Sequence, residues 1–151
     1  MLNVGDRAPE FAGMSDEGKQ IRLKDLKGKK VVLYFYPKDN TSGCTKQACA
    51  FRDDISEYEK QKAVVLGVSL DNKKSHQNFK TKFTLPFTLL CDEDATLSKA
   101  YGVYKQKSMY GRTYWGIERT TFVIDEEGKI KAIFPKVKVD DHSPAVLATL
   151  Q

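Results

Sequence analysis

The sequence predicts an α/β protein with a central mixed β-sheet flanked by α-helices and an N-terminal β-hairpin. Three observations predict it. Short runs of β-branched and aromatic residues, "KVVLYFY" and "AVVLGVSL", alternate with stretches whose apolar residues recur every three or four positions. Runs so poor in polar residues suit strands buried on both faces. Hairpin signals near each end of the chain then give the order β-β-β-α-β-α-α-β-β-α, which implies one mixed sheet with helices over its faces.

Each element has a local reason. "FAGMSDEGKQIRL" reads as a small hairpin around Asp16-Glu17-Gly18, and "LKDLKGK" as a helical turn and connector. "KVVLYFY" is a strand that puts Tyr34, Phe35 and Tyr36 in the core, and Pro37 ends it. From about Thr45 the period changes. Ala48, Phe51, Ile55 and Tyr58 mark the apolar face of one amphipathic helix ending near Lys62. "AVVLGVSL" is a second buried strand, and "NKKSHQNFKTKF" a polar surface helix on which His76 is expected at the surface or as a cap. "ATLSKAYGV" is another short helix. "RTTFVID" and "KIKAIF" flank the turn "DEEGK" as a hairpin. The tail "DHSPAVLATLQ" suits a closing helix with Ser143 as N-cap and Pro144 first. A thioredoxin-like α/β sandwich is the natural candidate for this order.

No repeat, low-complexity tract or Pro/Gly/Ser-rich linker divides the chain, so residues 1–151 read as a single domain long enough to bury a core. The 25 basic and 20 acidic residues are interleaved, giving +5 overall without a dense basic patch. A specific nucleic-acid role is therefore not expected. "MLNVGDRAPEF" lacks a basic n-region and an apolar stretch, and no apolar run is long enough to cross a bilayer. A cytoplasmic protein without a membrane partner is expected. In that compartment three cysteines are more often reactive or metal-binding than a disulfide framework.

Two of the three, Cys44 and Cys49, stand in "YPKDNTSGCTKQACAFRDD". Cys44 lies four residues before Ala48 and extends the apolar stripe back to the first turn of the helix. Its sulfur would sit near unpaired backbone N–H groups and the positive end of the helix dipole, both of which favour thiolate over thiol. Gly43 would allow a close approach, and Thr41 can turn its hydroxyl to the same spot. The residues alone leave two readings of Cys44, a reactive thiol or a small packed hydrophobe. Cys49 is five helical steps on, about 140° round and about 8.7 Å away between Cα atoms. A disulfide reaches only about 7 Å without backbone movement. The two are either unrelated or a switch that works by local unfolding. C-x4-C is not a usual zinc spacing and only His76 and His142 are present, so no metal or cofactor is expected. Cys91, after "LPFTLL", reads as a buried structural thiol. Tyr110, Tyr114 and Trp115 suit either an apolar rim near the site or ordinary packing.

Pro37-x-x-x-Thr41-x-x-Cys44 resembles the active-site signature of the peroxiredoxins, and "VVLYFYPKDNTSGCTKQACAFRD" that of the peroxiredoxin Q or bacterioferritin comigratory protein group. The likeness extends through "GDRAPEF", "VVLGVSLD", "SHQNFKTKFTLPFTLLCDED", "LSKAYGV" and the stretch Trp115 to Asp125, which covers nearly the whole chain. The resemblance implies a thioredoxin-like fold and a thiol peroxidase acting on hydrogen peroxide and organic hydroperoxides. It implies Cys44 as the peroxidatic cysteine, Cys49 as the resolving cysteine of an intramolecular disulfide, and thioredoxin or a similar dithiol as the reductant. Thr41, Gly43 and Arg119 would hold the substrate and Pro37 would shield the site. Arg119 lies 75 positions after Cys44, and without the family it is a charged residue at a strand entrance. A resolving cysteine in the same chain points to a monomer. Two rivals remain: a disulfide oxidoreductase, expected to carry C-x-x-C, and a non-enzymatic redox sensor.

Overall fold

The computed structural model describes all residues, Met1–Gln151. Its main sheet has seven strands in the order β2-β1-β5-β4-β3-β8-β9. These are β1 (Ala12–Ser15), β2 (Gln20–Arg22), β3 (Lys30–Phe35), β4 (Ala63–Ser69), β5 (Thr88–Cys91), β8 (Thr120–Ile124) and β9 (Ile130–Phe134). The sheet is mixed. β4 runs parallel to β3 and β5, whereas β8 pairs antiparallel with β3, and β1 antiparallel with β5.

The central strand shows why "KVVLYFY" contains no alternation of polar residues. Val32, Tyr34 and Tyr36 point into one apolar cluster, and Val31, Leu33 and Phe35 into the other. The first cluster is covered by α1 (Ser42–Asp53), α2 (Ile55–Lys60), α3 (Lys73–Phe83) and α5 (His142–Ala148), which contribute Ala48, Phe51, Tyr58, Phe79 and Val146. The second is closed by Leu97 and Tyr101 of α4 (Thr96–Ala100) and its C-terminal flank, and by Leu23 of a 3-10 turn, Leu23–Leu26. Both hairpins expected from turn residues are present, as β1–β2 and β8–β9.

Four local expectations are corrected. The helix expected from Thr45 to Lys62 begins at Ser42 and is two helices, because Asp54 leaves helical geometry and its carboxylate accepts the Ser143 hydroxyl of α5 at 2.7 Å. The closing helix begins at His142, with Asp141 as N-cap; Ser143 is thus spent on Asp54 and Tyr58 rather than on its own helix end. "TLLC" forms a sheet strand, β5, that four residues were too few to announce. A separate two-stranded ribbon, β6 (Tyr104–Met109) and β7 (Arg112–Ile117), was also unforeseen. Most of its residues are exposed, including Met109, Tyr114 and Trp115, and Trp115 stacks on Tyr104.

Candidate active site

β3 ends where Pro37 removes a backbone donor, and the turn from Pro37 to Thr41 leads directly into α1. Thr41 is extended (φ −92°, ψ 157°) at the N-cap position, and the first α-helical bond runs from the Thr45 N–H to its carbonyl at 2.8 Å. The Gly43 and Cys44 N–H groups precede that bond and meet no acceptor in the protein. Cys44 therefore sits on the first turn, as its phase with Ala48 and Phe51 requires, and is 1% exposed. The Thr41 hydroxyl makes no hydrogen bond to the sulfur. It donates to the Lys38 carbonyl at 2.8 Å and braces the turn instead. Pro37 is half-buried at the strand end.

Sheet register brings Arg119 to the same place. Phe35 pairs with Thr120 across β3 and β8, so Arg119 emerges opposite the point where β3 gives way to the Cys44 loop. Its carbonyl accepts the Val137 N–H at 2.9 Å, which holds its backbone from the far side. The guanidinium fork is divided. Nη2 donates to Cys44 Sγ at 3.2 Å, and Nη1 to Gln47 Oε1 at 2.6 Å. Gly43 leaves room for this approach, since a Cβ there would lie 3.2 Å from Nη2. The glycine is needed for space, not for an unusual φ.

Two contributors escaped the sequence reading. Gln47, fully buried one turn after Cys44, sets the orientation of the Arg119 fork while its own Nε2 has no partner. Its spacing from Cys44 was the only available signal, and a glutamine there reads equally well as solvated. Lys107 of β6 also faces the site. Its pKa is lowered by partial burial first and then by the Arg119 charge, while Glu118 and Cys44 act the other way. Tyr34, wholly buried beneath the loop, is kept protonated by burial and then by the charges of Cys44 and Asp39.

The remaining cysteines differ. Cys49 is half-buried on the same unbroken helix, and all three thiols are free. Cys91 is half-buried on β5, less enclosed than expected, and its pKa is pushed up to about 11 by burial first and then by Glu93 and Asp16. His76 is the clearest correction: it is 0% exposed, because the polar helix that carries it turns His76 and Phe79 into the core. With Asp39 and Asp71 it brings potential metal ligands within 4.8 Å of one another. The two imidazole nitrogens are already committed, however, to Asp39 and the Leu90 carbonyl. His142 is also buried; its ring bonds to the Thr121 hydroxyl at 2.8 Å, and burial, then Arg119, pull its pKa down to about 4. Tyr110 (97% exposed) and Trp115 (57% exposed) lie on the ribbon, so ordinary core packing does not explain them.

The arrangement offers a sulfur nucleophile at an open helix end beside a fixed guanidinium. No helix is long and apolar enough to cross a membrane. Residues 4–133 match the model of the AhpC/TSA family. The chain is 57% identical to a bcp-type peroxiredoxin of Coxiella burnetii, over 99% of each sequence. It is 46% identical to peroxiredoxin Bcp of Bacillus subtilis, over 99% of this chain and 96% of that one. Among solved structures it resembles the bacterioferritin comigratory protein of Xanthomonas campestris, studied as a trapped intermediate and ligand complex for its alkyl peroxide reduction. That likeness has a TM-score of 0.88 and 42% identity, covering 93% of this chain and 89% of the other. The expected thioredoxin-like fold is shown by it.

Proposed function

Because the chain belongs to the AhpC/TSA family and, within it, to the Bcp or peroxiredoxin Q group, we propose that Cys44 is the atom at which it reduces peroxides. The protein is a thiol peroxidase. The observation that carries the assignment to Cys44 is the Arg119 guanidinium, 3.2 Å from its sulfur at an open helix terminus.

The Cys44 thiolate attacks the nearer peroxide oxygen. An S–O bond forms as the O–O bond breaks, and sulfur loses the two electrons that the peroxide gains. The departing oxygen leaves with the electron pair and takes a proton, giving water or an alcohol, and Cys44 becomes a sulfenic acid. Negative charge thus moves onto an oxygen beside Arg119 and the Gly43 and Cys44 N–H groups. One such fixed donor is worth about 3–4 kcal/mol to a transition state, whereas a helix terminus contributes up to about 2 kcal/mol in a buried geometry such as this one. Arg119 is the larger contributor. Thr41 supports the donors by bracing the turn, and Pro37 screens the sulfur from bulk water.

Cys49 then attacks the Cys44 sulfenic acid: an S–S bond forms and water leaves. Both residues lie on continuous helix, where their Cα atoms are about 8.7 Å apart. The first turns of α1 must therefore unwind. Its far end is pinned, since Arg52 Nη1 donates to the Phe83 carbonyl at 2.7 Å and Phe51 is fully buried. Unwinding is confined to the turns that carry the cysteines, and the opened segment is what thioredoxin or a similar dithiol reaches. Peroxides are the substrate class, and the donors around Cys44 would act on the O–O group that hydrogen peroxide and organic hydroperoxides share. A resolving cysteine in the same chain makes a monomer sufficient, and residues 1–151 act as one domain, supported by a single seven-stranded sheet that takes strands from both ends of the chain. Free thiols of this kind belong in a reducing cytoplasm.

Cys49→Ser tests the division of labour. With a thioredoxin system present, the variant is expected to consume one equivalent of peroxide per chain at the wild-type rate and then stall. Sustained wild-type turnover would show that Cys49 does not resolve the intermediate.

A further inference from the structure

Asp39 lies two residues before Thr41, in the turn that delivers Cys44, and is 7% exposed. Its carboxylate is unusually well supplied. Oδ1 accepts the Tyr36 hydroxyl, while Oδ2 accepts the Ser75 hydroxyl at 2.8 Å and faces His76 Nδ1 at 2.7 Å. The other nitrogen of His76, Nε2, meets the Leu90 carbonyl of β5 at 2.8 Å. A carbonyl only accepts, so Nε2 carries a hydrogen. Nδ1 carries a second, because the ionised Asp39 carboxylate before it, like a carbonyl, only accepts. Two N–H groups make the ring an imidazolium, clamped between the sheet and the turn. The turn is tied further by the Asp39 N–H, which donates to Asp71 Oδ2 at 2.8 Å, and Asp71 is itself held by Ser69 at 2.6 Å.

We propose that His76 is a positioning residue for the peroxidase reaction: as a buried imidazolium it locks Asp39, and so fixes the turn that presents Thr41, the Gly43 and Cys44 N–H groups and the Cys44 sulfur. The proposal rests on Cys44 being the peroxidatic cysteine. His76 touches neither sulfur nor substrate and acts only through Asp39. A neutral ring keeps a single N–H, so it must turn a lone pair either to the Asp39 carboxylate or to the Leu90 carbonyl and release one side of the clamp.

The groups facing His76 allow its titration to be isolated. From the turn comes Asp39, from the loop after β4 Asp71, from the end of β3 Tyr36, and from β5 the Leu90 carbonyl and neighbouring Cys91. Tyr36 is held protonated by burial, and the Cys91 thiol is raised to about 11, so neither changes charge near neutrality. Burial pulls the His76 pKa down, but the bond and charge of Asp39, the Leu90 carbonyl and Asp71 outweigh it, and the net direction is upward. The sign follows. The clamp is complete below the ordinary histidine pKa and is lost as pH rises through the raised one.

The test measures the second-order rate constant of Cys44 oxidation by hydrogen peroxide against pH, by competition with a haem peroxidase, in the full-length wild type, His76→Asn, Asp39→Asn and Cys44→Ser. Wild type is expected to lose rate on the alkaline side. His76→Asn should be about tenfold slower at neutral pH and lack that alkaline limb. Asp39→Asn, which removes the charge that raises His76, should show the limb at lower pH and serves if the histidine variant does not fold. A wild-type rate in His76→Asn, or a pH profile unchanged in the folded variants, overturns the proposal. Peroxide consumption by Cys44→Ser would instead overturn the assignment of Cys44.

Discussion

Replacing Cys44 with serine is expected to reduce peroxide consumption to the uncatalysed rate, with the fold intact. Serine is close to isosteric with cysteine, and the Arg119 bond to the side chain can be kept, so the fully buried position loses little packing. What disappears is the nucleophile. A hydroxyl is scarcely ionised at neutral pH and cannot displace oxygen from oxygen. Neither other thiol substitutes for it. Cys91, with its pKa pushed up to about 11, is protonated at neutral pH. Cys49 lies about 140° round the helix from Cys44, away from the sulfur that Arg119 contacts. Residual turnover in Cys44→Ser that is lost on adding Cys49→Ser would move the chemistry to the second cysteine.

Arg119→Ala is expected to lower the rate constant for Cys44 oxidation by about 10²–10³, the loss typical of one fixed donor at developing negative charge. Stopped-flow measurement with hydrogen peroxide gives the number directly. Arg119→Lys should recover only part of it. One fork holds Gln47 and Cys44 together, with donors at 2.6 and 3.2 Å, and an ammonium on a flexible stem cannot reproduce both directions. The backbone bond from Val137 to the Arg119 carbonyl survives either change, but Arg119→Ala strands the buried Gln47 carboxamide, so its urea midpoint should fall by the equivalent of about 1–3 kcal/mol. A lysine variant as fast as wild type would mean that charge suffices and that Gln47 has no orienting role.

Much of the architecture was legible because burial on both faces leaves a plain mark. "KVVLYFY" and "AVVLGVSL" became β3 and β4, and the turns "SDEG" and "DEEGK" became hairpins. Cys44 was legible for a different reason: helical phase ties it to Ala48 and Phe51. Arg119 was not, because a contact made by sheet register across 75 positions leaves no periodic trace, and family likeness alone pointed to it. The misplacing of His76 and the omission of Gln47 share a cause. His76 and Gln47 are polar residues on helices, and their burial depends on partners elsewhere in the chain: Asp39 and the Leu90 carbonyl for one, Arg119 for the other. The break at Asp54 likewise depends on Ser143, far along the sequence. Local pattern carries the frame, whereas buried polar contacts exist only once distant segments have met.

At the centre of the reaction is a sulfur that accepts an oxygen beside Arg119 and passes its oxidation to a neighbour on its own helix. Peptide mapping by mass spectrometry, after one equivalent of hydrogen peroxide has been added to the fully reduced protein, tests this most directly. A Cys44–Cys49 link within one chain, with Cys91 still free, is the predicted product. A bond from Cys44 to Cys91, or links only between chains, would contradict it.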